Sequence, residues 1–363
     1  MQIVILGLSI TSSWGNGHAV TWRSLVRGLA EQGHDVLFLE RNMPWYAENR
    51  DLAEPPFGRT VLYNSVTELK DKFRGEVRNA DLVIVGSYVP QGVAVGEWVV
   101  TTANGVTAFY DIDTPVTLSK LDRGDTEYLS RALVMRYDLY LSFTGGPTLR
   151  RLQQRYCARA PRALYCSVDP EQYFPEAQPL RWDMGYLGTW SDDRQPALDR
   201  LMLKPARAWP EADFCVAGPL YPKEIVWPAN VERIQHLPPA GHRAFYNAQR
   251  FTLNITRADM VRAGYSPSVR LFEAAACGTP VISDSWHGLG EIFTIDSEIL
   301  VARSTSEATE YLREITDEDR IAIGKRARAR VLREHTAAKR AEQLENYACE
   351  LAGRVAAGSK AAV

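Results

Sequence analysis

A chain of 363 residues with 45% hydrophobic and 24% charged side chains is long enough for two domains, each burying its own core. Its formal net charge of −2 excludes the electrostatic footprint of a general nucleic-acid binder, so small molecules or proteins are the expected partners. The five cysteines, Cys157, Cys166, Cys215, Cys277 and Cys349, are scattered, odd in number and without C-x-x-C spacing, which excludes a disulfide framework and a zinc site and points to reduced thiols in a cytoplasmic protein.

The opening MQIVILGLSI lacks a basic n-region and runs straight into a glycine-containing loop. It is expected as a first strand over 2–10, not as a signal peptide, and no later run approaches transmembrane length. The loop SSWGNGH follows, then an amphipathic helix over 18–32 ending at Gly33, then a strand over 35–40. This is a βαβ unit, and such sheets bind ligands outside the carboxyl ends of their strands. Gly15, Asn16 and Gly17 are thereby placed at a binding edge, although a tight turn alone would also account for the glycines. No x-x-G follows them, so the dinucleotide fingerprint of nicotinamide and flavin enzymes is missing.

Strands over 60–63, 81–86, 106–113 and 138–143, with helices between them, complete a first α/β domain. The run YDIDTP places Asp111 and Asp113 at a strand end, where one suits a catalytic or acceptor-orienting carboxylate and where capping of the next turn is the plainer alternative. Gly145-Gly146-Pro147 opens a helix at the same edge, and Thr144 with the glycine backbone stands where a ligand would approach. After a short strand near 163–166, the proline-rich stretch at 170–182 reads as an interdomain linker, separating a domain over 1–169 from a second over 183–335.

The second domain restarts with strand, glycine loop and helix in MGYLGTWSDDRQPALDRLM. Gly188, Thr189 and Arg194 there suit a diphosphate, since backbone N–H groups and a guanidinium both bind phosphate oxygens. A surface loop with a solvated arginine is the alternative. Strands over 214–218 and 231–237 follow, the latter ending in His236 and Leu237, then a helix over 242–249 and a strand over 250–255. Asn254 and Thr256 fall on one face of that strand if it continues, with Arg257 and Asp259 extending the edge.

The most informative stretch is AGYSPSVRLFEAAACGTPVISD. Ser266 is expected to cap a helix whose first turn holds Pro267, so its free N–H groups and positive dipole end, with Ser268, suit a phosphate. Arg270 and Glu273 share one face of that helix, fitting a diphosphate and a ribose diol, while an exposed Arg–Glu pair is the alternative. A strand over 281–284 and another over 299–302 close the second sheet. From 305 onward the chain is helical and charged, its basic run KRARARVLREH reads as a solvated helix face, and the tail AAGSKAAV is expected to fray.

FEAAACGTPVISD resembles the segment of group 1 glycosyltransferases in which a glutamate opens an E-A-x-A-x-G-x-P run before a strand. With SVRLFEAAACGTPVISD followed by GL and a phenylalanine, the chain is more similar to the spore-maturation protein CgeB-like branch, and YLGTWSDDRQPAL and FYDIDTP belong to the same resemblance. The resemblance implies the GT-B architecture: α/β, two Rossmann-like domains facing a cleft, with a C-terminal helix over 336–363 crossing back to the first. It implies transfer of a sugar from a nucleoside-diphosphate sugar, UDP-sugars included, to an acceptor on the first domain, without metal and with no cofactor besides the nucleotide-sugar substrate.

By the same resemblance Glu273 holds the donor ribose, Gly188, Thr189, Arg194, Ser266, Ser268 and Arg270 hold the diphosphate, and His236 and Leu237 flank the nucleobase. Gly15, Asn16 and Gly17 stand near the sugar. Tyr265 occupies the position of the family's usual first glutamate, so the mechanism is open there. If the enzyme inverts, Asp113 and His18 are the candidate bases. A nucleotide-sugar epimerase on the same architecture, or a non-catalytic surface or spore-coat assembly protein with a degenerate pocket, are the alternatives.

Overall fold

The computed structural model describes residues 1–15 and 17–360, with the side chains of residues 354–360 excepted. Asn16 therefore lies outside the described residues. The chain forms two compact units, one of Met1–Ser167 with the C-terminal helix and one of Val168–Thr336.

The first unit is built on a seven-stranded parallel sheet: β1 (Gln2–Gly7), β2 (Asp35–Arg41), β3 (Arg59–Tyr63), β4 (Leu82–Gly86), β5 (Val106–Asp111), β6 (Leu139–Ser142) and β7 (Pro161–Ala163). Their spatial order is β3-β2-β1-β4-β5-β6-β7. Helices cover the sheet, so its strands are apolar on both faces; all five residues of β4, LVIVG, are buried. Chain order reverses beside β1, and the crevice between the carboxyl ends of β1 and β4 is the topological switch point.

The first strand stops at Gly7, three residues short of the expected end, because residues 9–12 turn inward to meet Glu40 at the end of β2. Trp22 of the helix His18–Glu31 is wholly buried and sets its edge against Phe38 and Tyr110 at 5.5 and 5.3 Å. The helix Ala337–Lys360 packs on this same helix, and buried Arg340 pins it by donating to the Tyr165 and Cys166 carbonyls at 3.0 and 3.2 Å. That helix stays regular to Lys360, through most of the tail expected to fray.

The second unit carries a six-stranded parallel sheet: β8 (Trp182–Leu187), β9 (Phe214–Ala217), β10 (Val231–Ile234), β11 (Gln249–Asn254), β12 (Val281–Ser283) and β13 (Leu300–Val301), ordered β10-β9-β8-β11-β12-β13. Its switch point lies between β8 and β11. The stretch expected as a linker belongs to this unit. Asn247 holds it from both sides, accepting from the Glu176 N–H at 2.9 Å and donating to the Phe174 carbonyl at 3.1 Å, while Tyr173 is buried. Proline content made it look like a tether; its side chains make it part of the domain. No helix of the described residues is long and apolar enough to cross a membrane.

Candidate functional site at the second switch point

Arg270 spans the gap between the two strands that flank the switch point. Its Nε donates to the Leu187 carbonyl at the end of β8, 2.5 Å away, and one terminal nitrogen donates to Asn254 Oδ1 at the end of β11, 3.0 Å away. Its guanidinium lies 5.0 Å from the Tyr186 ring centroid. The arginine is nearly buried, and its other terminal nitrogen lies 3.0 Å from where a Cβ on Gly188 would stand.

Asn254 is the hub of the polar set. Its Oδ1 also accepts from Ser268 Oγ at 2.8 Å, and its Nδ2 donates to Ser283 Oγ at 3.0 Å and Thr256 Oγ1 at 3.3 Å. Thr256 in turn gives both its N–H and its hydroxyl to Asp284, each at 2.9 Å. Burial pushes the Asp284 carboxyl up, against the hydrogen bonds from Thr256 and Ser283 and the Arg270 charge. The alternation of β11 that put Asn254 and Thr256 on one face is thus realised as a direct contact.

The helix expected to open at Ser266 instead spans Val269–Ala276, with Ser268 at its N-cap position. Ser266 and Pro267 precede it in the loop, and Ser266 is buried there. The Ser268 hydroxyl does not cap the helix, because it is committed to Asn254.

The Gly188 loop is folded tightly beside this set. Gly188 donates its N–H to the Ala217 carbonyl at 2.8 Å, and its own carbonyl accepts from Tyr221 at 3.1 Å. A Cβ on Gly218, whose φ is +144°, would lie 2.1 Å from that carbonyl oxygen, so a glycine is required there. Arg194 donates to Thr189 O at 2.6 Å and to Ser191 Oγ at 2.8 Å. Those bonds make it a clamp on the loop, a use that its position before a helix did not reveal.

Glu273 is buried one turn along from Arg270 and accepts from Tyr246 at 3.0 Å. His236 is exposed and Leu237 half-buried on the loop after β10. His242 Nε2 lies 3.2 Å from the Leu237 carbonyl. Tyr265 sits at φ 50° between Gly264 and Ser266, its N–H donating to the His287 carbonyl at 2.6 Å. A Cβ on Gly288 would meet the Tyr265 ring at 2.4 Å, so the ring lies directly on bare glycine backbone. A non-glycine residue held at positive φ stores strain of about 1–3 kcal/mol, and such positions cluster at functional sites.

At the carboxyl edge of the first sheet, Glu40 accepts from the N–H groups of Ile10 and Thr11 at 2.7 and 3.0 Å and from the hydroxyls of Ser9 and Thr11. Asp51 takes Ser13 through backbone and side chain, each at 2.8 Å, and pairs with both terminal nitrogens of Arg23. Burial pushes the Asp51 carboxyl up, but the Arg23 and Ser13 hydrogen bonds win and hold it well below the usual range. The loop is stapled at its base, leaving Trp14, Gly15 and Gly17 exposed at its tip. Neither acid was singled out from sequence, although an acid ending the second strand of a βαβ unit is the signal that marks Glu40.

His18 opens the following helix, buried against Tyr88 with its Nδ1 unpartnered, and burial lowers its pKa to about 4. Asp111 and Asp113 differ sharply. Asp111 is fully buried, accepts from Thr117 and Tyr140 at 2.6 Å each, and is pushed up to about 6 by burial. Its partners are all internal, which makes it a framework group. Asp113 is half-buried at the N-cap of the helix Thr114–Asp122, within 3.4 Å of the Tyr88 hydroxyl. Thr144 is buried, and Gly146 takes a positive φ of 55° before the helix Pro147–Tyr156.

Residues 194–346 match the glycosyl transferase-like family. That match lies in the second half of the chain. Solved structures with its fold cover almost all of it. Sucrose-phosphate synthase from Thermosynechococcus elongatus superposes with a TM-score of 0.68 at 15% identity, covering 97% of this chain and 99% of that one. Anabaena HepE in complex with UDP and glucose gives 0.69 at 12% identity, covering 96% and 99%. A glycosyltransferase from Rickettsia africae gives 0.68 at 10%, covering 96% and 98%. The two parallel-sheet α/β domains are therefore those of the GT-B fold. No curated protein matches the sequence. The expected CgeB-like branch is a finer assignment than these likenesses carry.

Proposed function

We propose that the protein transfers a sugar from a UDP-sugar to an acceptor hydroxyl, binding the donor at the second domain's switch point and the acceptor at the first domain's carboxyl edge. The observation that carries the reading is Arg270, which joins the ends of β8 and β11 at the crevice where sheets of this kind bind ligands. A UDP complex of HepE, a protein of the same fold, supports uridine as the base.

In this reading the acceptor oxygen bonds to the anomeric carbon while the bond from that carbon to the UDP oxygen breaks. Charge gathers on the departing diphosphate. Arg270 and the first N–H groups of the helix Val269–Ala276 neutralise it together with the Thr189 backbone, the role a metal ion plays in other transferases. Glu273 takes the ribose hydroxyls, and His236 and Leu237 flank the base. Tyr265 lies against the sugar, its ring supplying an apolar face in place of a carboxylate. For an inverting reaction Asp113 receives the acceptor proton, because it is the less enclosed of the two strand-end aspartates. His18, neutral above pH 4, stands as the second base candidate.

A nucleotide that binds the folded state raises apparent stability by mass action, so the test is thermal unfolding with UDP and a panel of UDP-sugars. UDP is expected to raise the Tm, and Glu273→Ala to abolish the rise. Absence of any shift with UDP overturns the reading. Sugar release from a bound UDP-sugar without acceptor, yielding an epimer, would favour an epimerase instead.

A further inference from the structure

We propose that Tyr221 is a positioning residue that locks the Gly188–Thr189 peptide in one orientation, so that the Thr189 N–H is kept facing the donor's phosphates. Tyr221 has this part only within the donor reading above.

A glycine imposes little on the peptide that follows it, and that peptide can turn over, exchanging an N–H for a carbonyl on the same face. On a face meant for an anion, such a flip replaces a donor with a repelling oxygen. Gly188 stands at this risk immediately after β8. In a trans peptide the carbonyl of one residue and the N–H of the next point in opposite directions, so holding the Gly188 carbonyl aims the Thr189 N–H.

That carbonyl is held from one side. The Tyr221 hydroxyl donates to it at 3.1 Å, and the bare Gly218 backbone packs against it with no room for a Cβ. The next peptide is bonded at both ends: the Thr189 carbonyl accepts from Arg194 at 2.6 Å, and the Trp190 N–H donates to the Pro219 carbonyl at 3.1 Å. Of the polar groups in these two peptides, the Thr189 N–H alone makes no hydrogen bond among the described residues, and Thr189 itself is exposed. One Arg270 terminal nitrogen lies 3.0 Å from where a Cβ on Gly188 would stand. An open N–H beside a guanidinium suits a phosphate oxygen.

Tyr221 is itself fixed. The Arg233 guanidinium lies over its ring, 4.1 Å from the centroid, and the Trp227 ring meets it edge-on at 5.4 Å. Arg233, on β10, also donates to the Val216 and Gly218 carbonyls, which staples the ring to the end of β9. Leu220, one residue earlier, is held at φ 70° although its side chain is 74% exposed. Burial of that leucine does not account for a strained backbone; the turn it makes returns Tyr221 to Gly188. Burial pushes the Tyr221 phenol well above its ordinary range, so the hydroxyl keeps its hydrogen at any working pH.

The consequence is selective. Losing the hydroxyl removes no contact to the nucleotide, yet it frees the peptide to turn, so affinity should fall for a ligand that carries phosphates and hold for one that lacks them. The experiment uses the full-length protein and Tyr221→Phe, which removes the hydroxyl and keeps the ring under Arg233, with thermal unfolding as the check on folding. Calorimetric titration reads UDP, and NMR titration at millimolar concentrations reads uridine. The variant should bind UDP about fivefold more weakly, the scale of one hydrogen bond, and uridine as wild type does. In protein labelled with nitrogen-15 threonine, the Thr189 amide, assigned through Thr189→Ser, should move downfield with UDP and stay in place with uridine. Unchanged UDP affinity in the variant, an equal fall for uridine, or a wild-type Thr189 amide that UDP does not move overturns the proposal and leaves the donor site at Arg270 standing. Failure of the wild type to bind UDP at all sinks both.

Discussion

Replacing Arg270 with lysine keeps one positive charge at the switch point and removes the fork that uses it. The arginine reaches the Leu187 carbonyl through Nε and Asn254 through a terminal nitrogen, and turns its remaining nitrogen toward the Gly188 loop. A lysine ammonium is a point donor and cannot satisfy two acceptors at the ends of different strands while also facing a phosphate. One of the two acceptors loses its charge-assisted bond, which costs about 1–3 kcal/mol of domain stability. For a domain of this size that corresponds to a Tm lower by roughly 3–9 °C. Loss of one charge-assisted bond to the diphosphate adds about 1.5–3 kcal/mol to the binding free energy, a Kd higher by about 10- to 150-fold. Calorimetric titration of UDP, run beside thermal unfolding, reads both. Lysine at 270 with unchanged UDP affinity would show that the guanidinium is only a brace between strands, and the donor site would have to be sought elsewhere.

Gly218→Ala should collapse the same site from the opposite side, since its Cβ would stand 2.1 Å from the Gly188 oxygen at a φ that alanine resists; a loss of about 2–4 kcal/mol of stability is expected, read by urea unfolding. In the first domain two buried groups pull stability in opposite directions with pH. His18, lowered to about 4, binds its proton more weakly folded than unfolded, so its contribution is full above pH 6.5 and is lost as pH falls toward 4. Asp111, raised to about 6, does the reverse: its contribution is full below pH 3.8 and is lost as pH rises toward 6. Between pH 4 and 6 the two slopes cancel. Asp111→Asn removes one of them, so the variant's stability relative to wild type should climb by about 1.4 kcal/mol per pH unit across that window, measured by urea unfolding at several pH values. A flat difference would show that Asp111 is ionised in the folded protein.

Most of the architecture could be read from alternating strand and helix patterns, because parallel strands buried on both faces leave apolar runs such as LVIVG that polar turns delimit. The two sheets, and Arg270 and Glu273 on one short helix, followed from that reading. What escaped it depends on which strands become neighbours. Asn254 lies at an ordinary strand end in sequence, and only the placement of β11 between β8 and β12 brings it to Ser283 and Arg270 together. Glu40 and Asp51 are 29 or more residues from the loop residues they bond, a separation at which spacing carries no signal. The helix start was misplaced because a serine followed by proline is a good local opening; the Ser268 hydroxyl bond to Asn254 is a tertiary contact that shifts the boundary.

The position of Tyr265 shows why a broken motif need not mean a dead site. Substituting an aromatic for a carboxylate in a pocket that merely persisted would leave the surrounding backbone free to relax. Here the backbone is built around the ring: Gly264 takes a φ of 66° before it, Tyr265 itself is held at 50°, and Gly288 at 90° leaves no side chain where the ring lies. Three residues at positive φ within one contact carry a conformational cost that only glycine at two of them makes tolerable. A degenerate pocket gives no reason for that cost to persist. Under the proposed function an aromatic face against the donor sugar would, since it would offer apolar contact to the ring carbons and leave the hydroxyls to other groups, shifting selectivity toward sugars with an uninterrupted apolar face.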